Sequence, residues 1–403
     1  MGHSRQRPRP KLRPLVALVV VLGLGAGPSA TPVEAVTLQW QQQLTPRLAG
    51  GKLEGVSCPS PVTCVAVGTR QLSTGRYNYQ SLVESWDGKT WDLDAAPTLA
   101  STTSSLGSVS CVSATSCVAV GVTGNLPVPT TTLHPFAEVL TGSRWEIVAT
   151  AKLPAGTYAA LSSISCSQAK SCVAVGNYLA APGKTPTTQP PLAEAYNGST
   201  WVVEKVPVIA GHSSYLSSVS CSPGAEPTSC TAVGSASAGN SSGPLAYHAV
   251  GNNWQLLSIP GLPSSGPGLT SLSYPLPTSC VAIGSAKGGP FSAVDDVNKW
   301  STAPLAKLPT PYAALAGISC AGNIRLCEAV GYFYGGPSAS ATLVEGWDGH
   351  RWAVQASPNV STPDLFAVSC SSAIPGAGAG CTAVGDLGSQ YPLALRDPTA
   401  GGA

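Results

Sequence analysis

Charged and aromatic side chains are scarce in this chain of 403 residues: Asp, Glu, Lys and Arg make up 10% of it and aromatic residues 6%. Long amphipathic helices need many Leu, Glu, Lys and Arg residues, so this composition argues against a helical protein. Hydrophobic residues nevertheless make up 43%, which argues against a disordered chain. Gly, Pro, Ser, Thr and Ala dominate the rest, a mixture that predicts short strands joined by many turns.

The N-terminus has the pattern of an export signal. Five basic residues precede an apolar run from Leu15 to Ala26, which is too short to span a bilayer, and small residues follow it. This predicts a signal peptide at residues 1–35, cleaved after Ala30 or Ala35, and a secreted mature chain; an uncleaved membrane anchor is the alternative. The mature chain keeps 16 Lys and Arg against 18 Asp and Glu, so we expect neither nucleic acid nor an anionic membrane as partner.

A two-part repeat occupies the rest of the chain. Its first part is Ser-Cys, a short polar turn and Cys-Val-Ala-Val-Gly, seen best in residues 108–121. Its second part is an apolar run, a turn of the Asp-Gly or Asn-Gly kind and a Trp, as in residues 82–91. Both parts predict β-hairpins, so each unit holds four short strands, here named a to d. The seven copies of the first part close on Gly68, Gly121, Gly176, Gly234, Gly284, Gly331 and Gly385.

The tryptophan positions indicate how the units close. Trp40 stands ahead of the first Ser-Cys phrase, whereas the seventh unit ends after a candidate c strand at residues 392–396 without a Trp. The N-terminal strand is therefore expected to supply the missing d strand of the seventh unit, which removes both open sheet edges. The period of about 50 residues is near that of kelch-type blades. The sequence thus predicts an all-β, seven-bladed propeller over residues 36–403, with an open solenoid as the alternative.

Thirteen cysteines in an exported chain indicate disulfides. Twelve of them flank the turn between strands a and b, where a bridge would tie the two strands together. The fifth unit has Tyr274 in place of the first Cys, which leaves Cys280 without a local partner. We expect Cys280 to be a buried free thiol, and the alternative is an exposed thiol that bridges two molecules. The predicted pairs are Cys58–Cys64, Cys111–Cys117, Cys166–Cys172, Cys221–Cys230, Cys320–Cys327 and Cys370–Cys381.

The phrase Cys-Val-Ala-Val-Gly followed by Trp-Asp-Gly-x-x-Trp resembles the repeats of exported actinobacterial β-propeller proteins over roughly residues 36–397. Residues 86–91 are also similar to a shortened Asp box of sialidase-like propellers, whereas residues 294–300 depart from that pattern. Asp boxes are structural turns in that family. The resemblance therefore implies the propeller fold and no particular activity.

Signatures of catalysis are weak. A sialidase-type site would need a cluster of arginines, and only Arg70 and Arg76 share a loop. Isolated histidines and the absence of finger-like Cys and His spacing give no reason to expect a metal or any other cofactor. A recurring glutamate seven residues before a Trp would suit a paired-carboxylate glycosidase, but its repetition favours a structural role as a hydrogen-bond acceptor. Those glutamates are Glu84, Glu138, Glu194 and Glu345. We assign no catalytic residue.

Variation among the units indicates a binding face. The b–c and d–a connections lie on one face of a propeller and differ in every unit, and most tyrosines fall there. Exposed Tyr suits a contact surface because it combines apolar area with a polar tip; the alternative is that some rings merely cover the channel mouth. The candidate ligand-binding residues are Arg70, Arg76, Tyr77, Tyr79, His134, Tyr158, Tyr178, His212, Tyr215, Tyr312, Tyr332, Tyr334, Phe366 and Tyr391.

The predicted function is binding or interaction outside the cell, by a monomer whose ligand is a glycan or a protein. The alternative is a propeller-fold carbohydrate-active enzyme, a glycoside hydrolase or lyase, whose site the sequence does not locate. Two carboxylates about 5–10 Å apart in the central pocket would favour the enzyme. A rim lined by tyrosines would favour the binding module.

Overall fold

The computed structural model shows a seven-bladed β-propeller in which each blade is a sheet of four antiparallel strands. The structure describes residues 40–397 except 73–78, 100–101, 126–132, 180–187, 224–228, 260–261, 264–265, 267, 277–278, 297–298, 309, 311, 323, 325, 337–338, 359, 361 and 375–377. No helix occurs among these residues, and hence none that could cross a membrane.

The strands follow one another from the inner edge of each blade to its outer edge, apart from the lone first strand, β1 (Gln41–Gln43). Blade 1 contains β2 (Lys52–Ser60), β3 (Thr63–Gln71), β4 (Tyr79–Trp86) and β5 (Trp91–Leu93). Blade 2 contains β6 (Thr102–Ser113), β7 (Ser116–Asn125), β8 (His134–Thr141) and β9 (Arg144–Ile147). Blade 3 contains β10 (Tyr158–Gln168), β11 (Ser171–Leu179), β12 (Pro191–Tyr196) and β13 (Trp201–Val203).

The remaining blades repeat this order. Blade 4 contains β14 (Ser213–Cys221), β15 (Ser229–Ala238), β16 (Ser241–Val250) and β17 (Asn253–Leu256). Blade 5 contains β18 (Gly268–Leu276), β19 (Ser279–Ala286), β20 (Gly289–Asp296) and β21 (Lys299–Ala303). Blade 6 contains β22 (Ala313–Cys320), β23 (Cys327–Gly336), β24 (Ala339–Trp347) and β25 (Trp352–Val354). Blade 7 contains β26 (Pro363–Ile374), β27 (Gly378–Leu387), β28 (Tyr391–Asp397) and, as its outer strand, β1.

Ring closure follows the sequence prediction. Strand β1 pairs antiparallel with β28, with Gln42 opposite Leu395, and so completes blade 7. Trp40, just before β1, is fully buried, and its Nε1 donates a hydrogen bond to Oε1 of Gln355 in blade 6 at 2.6 Å. The N-terminal strand therefore both fills the last sheet and ties it to the preceding blade.

The same tryptophan contact joins other pairs of blades. Nε1 of Trp145 in blade 2 donates to Asp94 of blade 1 at 3.4 Å, and Nε1 of Trp254 in blade 4 donates to Glu204 of blade 3 at 2.6 Å. Asp94 and Glu204 each lie three residues after their own blade's Trp, as Gln355 does in blade 6. Trp40 thus holds in blade 7 the place of the repeat tryptophans.

A β-bulge near the start of each inner strand explains the invariant glycine that ends the Cys-Val-Ala-Val-Gly phrase. In blade 1 the register shifts between Leu53 and Gly55, so Glu54 is the extra residue and Leu53 lies opposite Gly68. A Cβ on Gly68 would lie 2.0 Å from the carbonyl oxygen of Lys52. Close backbone approach at the bulge, and not a left-handed φ, therefore requires glycine here. All seven blades share the shift.

The second strand of each blade is buried on both faces because neighbouring blades pack against it. Val65 and Val67 of blade 1 contact the core beside blade 2, whereas Ala66 faces the core shared with blade 7. A larger side chain at the alanine position would overpack this contact. The alanine is fully buried in every blade, as Ala66, Ala119, Ala174, Ala232, Ala282, Ala329 and Ala383.

The six predicted disulfides are all present, each between the first and second strands of one blade. Such bridges are typical of proteins in an oxidising, extracellular environment. Cys280 is free and fully buried, and it belongs to the same core cluster as Tyr274. Burial raises the pKa of this thiol. The predicted burial of this free thiol is thus confirmed, and its low reactivity stays a prediction.

Candidate functional site

The seven inner strands enclose a central cavity of about 330 Å³. Each blade contributes its bulge residue and the two residues that follow it, and blades 3 to 7 also contribute the serine before the first Cys position. Of the described residues that line it, Glu54 is the one charged residue and Phe366 the one aromatic residue. The rest of the wall consists of small polar and aliphatic side chains.

A ring of serines links the inner strands around this cavity. In each blade, Oγ of the serine accepts a hydrogen bond from a backbone N–H of the next blade; Ser57, for example, accepts from Cys111. The inner strand is a sheet edge, so these bonds satisfy N–H groups that no strand pairs. Each hydroxyl keeps its hydrogen to donate elsewhere. The serine ring comprises Ser57, Ser110, Ser165, Ser220, Ser273, Ser319 and Ser369, with bonds of 2.9–3.1 Å.

A second tier of serines, two residues earlier in each strand, is incomplete. Four blades have it, and Ser108, Ser163, Ser218 and Ser271 accept from the next blade's N–H at 3.1–3.3 Å. Three consecutive blades replace the serine by Gly317, Ala367 and Gly55. No hydroxyl is therefore available there for the backbone N–H groups of Val368, Val56 and Val109. We call the wall formed by blades 6, 7 and 1 the open sector.

The bulge residues lie near the start of each inner strand, at the end of the cavity nearest the d–a connections. They differ among the blades. Ser217 and Thr270 use their hydroxyls internally, donating to the carbonyls of the next inner strand at 2.8 and 3.2 Å. In the open sector the bulge residues are Ala316, Phe366 and Glu54. The carboxylate of Glu54 forms an ion pair with Lys52 on its own strand. The open sector therefore contains a phenylalanine and a carboxylate whose charge is balanced by a lysine.

Two further carboxyl groups lie beside the mouth in blade 7. Asp364 and Asp386 face each other across the first two strands. Burial, and then the charge of Asp386, raises the pKa of Asp364. Burial raises the pKa of Asp386 as well, against the N–H of Ser389 and the charge of Lys52. Neither aspartate lines the cavity, so among the described residues the central pocket lacks the carboxylate pair expected of a glycosidase.

Several predicted binding residues lie exposed on the variable-loop face, the face formed by the b–c and d–a connections. Tyr79, Tyr215, Tyr312 and Tyr334 are 39%, 46%, 72% and 47% exposed. Tyr332 packs edge-on against Tyr334 with ring centroids 5.5 Å apart. Ser162 at the cavity mouth donates to the hydroxyl of Tyr215 at 3.2 Å. Tyr215 therefore lies at the mouth, whereas Tyr312 and Tyr334 are available on the rim.

The other predicted residues have more local partners. His134 is exposed and lies 5.3 Å from Tyr158, measured between ring centroids. Tyr178 is half-buried against the core of blade 3. The guanidinium of Arg47 lies 5.3 Å from the ring centroid of Tyr391.

Four further candidates are His212, Arg76, Tyr77 and Phe366. His212 lies close to the carbonyl of Ala210, with Nδ1 at 3.0 Å from it. Arg76 and Tyr77 lie outside the described residues. Phe366 lines the cavity and is half-buried.

The strands reach further towards this face than the sequence predicted. The b–c hairpin of blade 1 continues to the pair Gln71 and Tyr79, so Arg70 and Tyr79 lie on paired strand ends and not in a loop. Tyr178, Tyr332, Tyr334 and Tyr391 also lie within strands. Continued pairing satisfies the backbone polar groups beyond the closing Gly. Rings on paired strands are held more rigidly than rings on loops.

A groove of about 430 Å³ adjoins the exposed rings between blades 5 and 6. The tight turn at Gly288 and Gly289 leaves it open on one side, and Leu305 and Leu308 of the following connection line the other. Thr310 closes the groove, and its hydroxyl accepts a hydrogen bond from the N–H of Tyr312 at 3.1 Å. Tyr312, the most exposed tyrosine among the described residues, thus lies just beyond the end of the groove.

The recurring glutamates lie between blades, away from the cavity. Oε2 of Glu194 accepts from the N–H of Ala151, and Oε2 of Glu345 accepts from the N–H of Ala306, both at 3.0 Å. Burial raises the pKa of Glu194 to about 7 in spite of its hydrogen bond. Glu138, Glu194 and Glu345 are thus hydrogen-bond acceptors, as the sequence predicted, whereas Glu84 has no partner among the described residues. Within the described part of the chain, no group of His, Cys, Asp and Glu is arranged to hold a metal ion.

Sequence reasoning missed the serine ring and the open sector. The serine stands in every repeat, so its recurrence was a visible signal. Its hydrogen bond runs to the next blade, however, and becomes apparent only when inner strands lie side by side. The loss of the second-tier serine in three units is likewise visible in the sequence, but unit 1 becomes the neighbour of unit 7 only through ring closure.

No protein-family model matches the chain, and no curated protein sequence matches it. Solved β-propellers are similar in fold. The structure of YCF48 bound to D1 peptide gives a TM-score of 0.53 at 14% identity, over 91% of this chain and 97% of that chain. The six-bladed lectin of Aleuria aurantia gives 0.45 at 13%, over 72% and 89%. The Trypanosoma rangeli sialidase in complex with DANA gives 0.49 at 8%, over 76% and 56%. At these identities the similarity concerns the fold alone.

Proposed function

We propose that the protein is an exported binding module that holds an extracellular glycan or protein on its variable-loop face. The observation that carries this proposal is the set of exposed tyrosines on that face, Tyr312 and Tyr334 above all, beside the groove between blades 5 and 6. Tyrosine offers a large, stiff contact area with a hydroxyl tip and loses little conformational entropy on binding.

The backbone holds the two main tyrosines together. The N–H of Tyr334 donates to the carbonyl oxygen of Tyr312 at 2.9 Å, so the two residues belong to adjacent segments of blade 6. Tyr332 supports the ring of Tyr334 edge-on. A ligand in the groove would therefore meet pre-positioned aromatic rings at one end.

Export is part of this proposal. The disulfides require an oxidising compartment, and residues 1–35 have the pattern of a signal peptide. The secreted chain is expected to begin at Thr31 or Val36, which N-terminal sequencing of the secreted protein would establish. A secreted chain that retains residues 1–30 would contradict the proposal.

A binding module is favoured over a glycoside hydrolase or lyase. A two-carboxylate hydrolase needs both acids at the substrate, and of the described residues only Glu54 lines the cavity with a carboxylate. The buried glutamates between the blades lie out of reach of a substrate.

The test is binding of the mature protein to a glycan array and to extracellular protein extracts. Tyr312→Ala and Tyr334→Ala are expected to weaken capture of the ligand by about tenfold or more each, as for aromatic residues at interface centres. Val62→Ala is the matched control: Val62 is 49% exposed, close to the 47% of Tyr334, but lies in an a–b turn on the opposite face. Equal loss in the control, or no loss in either tyrosine variant, would contradict the proposal.

A further inference from the structure

We infer that the open sector of the central cavity is a subsite for one neutral sugar ring, the terminal residue of a glycan held on the variable-loop face. This inference rests on the proposed function and narrows it to a glycan. The cavity, at about 330 Å³, falls at the lower end of the range of about 300–1,000 Å³ found for small-molecule pockets. It therefore suits a single small polar ligand.

At the second-tier position, the cavity wall departs from sevenfold repetition on one side only. The serine ring is complete in all blades, but the second-tier serine is missing from the adjacent blades 6, 7 and 1. Glycine and alanine at Gly55, Gly317 and Ala367 remove the hydroxyl that accepts in the other blades. At Gly55 and Gly317 the next inner strand also packs closely, because an added Cβ would lie 2.9 Å from Cα of Ser108 and 2.8 Å from Cα of Ala367. A scattered loss would indicate neutral drift of a packing residue. A contiguous loss creates one coherent patch.

That patch carries the two side chains that set it apart chemically. Phe366 and Glu54 occupy the same bulge position on neighbouring inner strands of blades 7 and 1. A sugar ring has an apolar C–H face, which an aromatic ring can cover, and hydroxyls that donate to a carboxylate. Lys52 neutralises Glu54, so the site favours an uncharged ligand over a cation.

The wall also supplies hydrogen-bond donors for sugar oxygens. Val56, Val109 and Val368 line the cavity, and the position whose serine would accept from their backbone N–H groups holds alanine or glycine. Beneath them, the ring serines of blades 3 to 7 line the cavity, and each has a hydroxyl hydrogen left to donate after accepting its interblade bond. A neutral sugar matches this wall because every hydroxyl both accepts and donates.

The open end of the cavity faces the tyrosines of the rim. Tyr215 reaches from blade 4 to Ser162 of blade 3 at the mouth, on the wall away from the open sector. The entrance beside Phe366 is thus separate from the contact that Tyr215 makes. A glycan chain could pass from the rim into the cavity on the side of blade 7.

The experiment is saturation-transfer NMR, with titration calorimetry, of the mature protein against a panel of neutral hexoses and N-acetylhexosamines. At least one sugar is expected to bind. Phe366→Ala and Glu54→Gln are each expected to raise the dissociation constant about tenfold or more. Ala367→Ser restores the missing acceptor for Val56 N–H, as Ser108 serves Ile164, and is expected to weaken binding without lowering the melting temperature. It keeps the inference testable should Phe366→Ala fail to fold.

The matched control is Ser163→Ala, on the opposite wall of the same cavity, which removes a second-tier bond but leaves the open sector intact. It is expected to bind sugar like the unaltered protein. Failure of every sugar to bind, or binding unaffected by the open-sector variants, would overturn the inference. Loss of macromolecular ligand in Tyr312→Ala with no effect of the cavity variants would overturn it while leaving the proposed function standing.

Discussion

At the residue scale, the buried carboxyl group of Glu84 lacks a hydrogen-bond partner among the described residues, and a proline explains the loss of the partner that Glu194 and Glu345 have. Glu194 and Glu345 accept from the backbone N–H of the residue six places after the preceding blade's Trp. For Glu84 that position is Pro46 and for Glu138 it is Pro97, and neither proline has an N–H to donate. Glu138 accepts instead from the hydroxyl of Ser81 at 2.7 Å. Neither carboxyl oxygen of Glu84 has a hydrogen-bond partner among the described residues, and the side chain is fully buried. Burial, and then the charge of Asp94, raises its pKa to about 8.

This carboxyl group makes stability depend on pH. The folded state holds the proton of Glu84 up to a pKa of about 8, whereas the unfolded chain releases it near 4.5. The folded state therefore binds more protons between these values, and its stability falls as the pH rises from about 5 to 8. Urea denaturation at pH 5 and at pH 8 is expected to show greater stability at pH 5, with the difference reduced in Glu84→Gln. Greater stability of the unaltered protein at pH 8 would contradict this assignment.

Replacing the orphaned acid should stabilise the fold. Blade 7 has Leu395 at the register of Glu84, and there too the linker position is a proline, Pro358. Glu84→Leu is expected to raise the free energy of unfolding at pH 8 by about 1–3 kcal/mol, since it removes a buried polar group without partners. Glu194→Leu is the control and should lower it, because the N–H of Ala151 loses its acceptor. The same sign of change in both variants would count against the explanation.

At the scale of elements, the inner strand is the part of each blade that needs help from its neighbour. It is a sheet edge, and the serine ring supplies acceptors for its free N–H groups. The disulfide at the next residue fixes the same strand to the second strand of its own blade. One side of the strand is thus held covalently and the other by the adjacent blade.

Loss of one ring serine should therefore weaken a contact between two blades. Ser110→Ala leaves the N–H of Cys166 without its acceptor and is expected to cost about 1–2 kcal/mol of unfolding free energy. Hydrogen exchange at Cys166 should become faster, whereas exchange within the b–c hairpin of blade 2 should not. Ser162→Ala serves as the control and should stay within about 0.5 kcal/mol, because in the described structure the hydroxyl of Ser162 donates to the exposed hydroxyl of Tyr215. Unchanged exchange at Cys166 in Ser110→Ala would show that the bond carries no stability.

At the scale of the whole molecule, closure converts seven similar units into a ring with one distinguishable side. The contact of Trp40 with Gln355 and the pairing of β1 with β28 complete blade 7. Blades 6, 7 and 1 thereby become neighbours, and the open sector exists only because of this closure. The closure of the ring in blade 7, which we call the seam, and the proposed sugar subsite therefore lie on the same side of the ring.

Opening the seam should destabilise the whole protein. Trp40→Ala is expected to lower the free energy of unfolding by about 3–5 kcal/mol, because it leaves a large cavity at a fully buried site. Deletion of residues 36–46 should lower the melting temperature at least as much, since it also exposes the edge of β28. Gln43→Ala, at the half-buried end of β1, is the control with little expected effect. A deletion variant that melts like the unaltered protein would refute the closure as a source of stability.

The sequence by itself determined the repeat, the strand count of each blade, the disulfide pairs and the closing role of Trp40. These features depend on local spacing: a hairpin needs a turn between two short apolar runs, and a bridge needs two cysteines on paired strands. The burial of Cys280 also followed, because its strand carries apolar residues on both faces. Each of these features could be predicted from one unit alone or from the comparison of one unit with the next.

Only the tertiary structure decided which groups meet between units. The serine ring, the orphaned Glu84 and the open sector arise from contacts across blade interfaces, where the partners lie dozens of residues apart in sequence. The tertiary structure also determined where strands end, as at Arg70 and Tyr79, because strand pairing continues for as long as two backbones stay adjacent. The repeat predicted that the blades are alike. The side chains in which blades 6, 7 and 1 differ from the others lie side by side only because the ring closes.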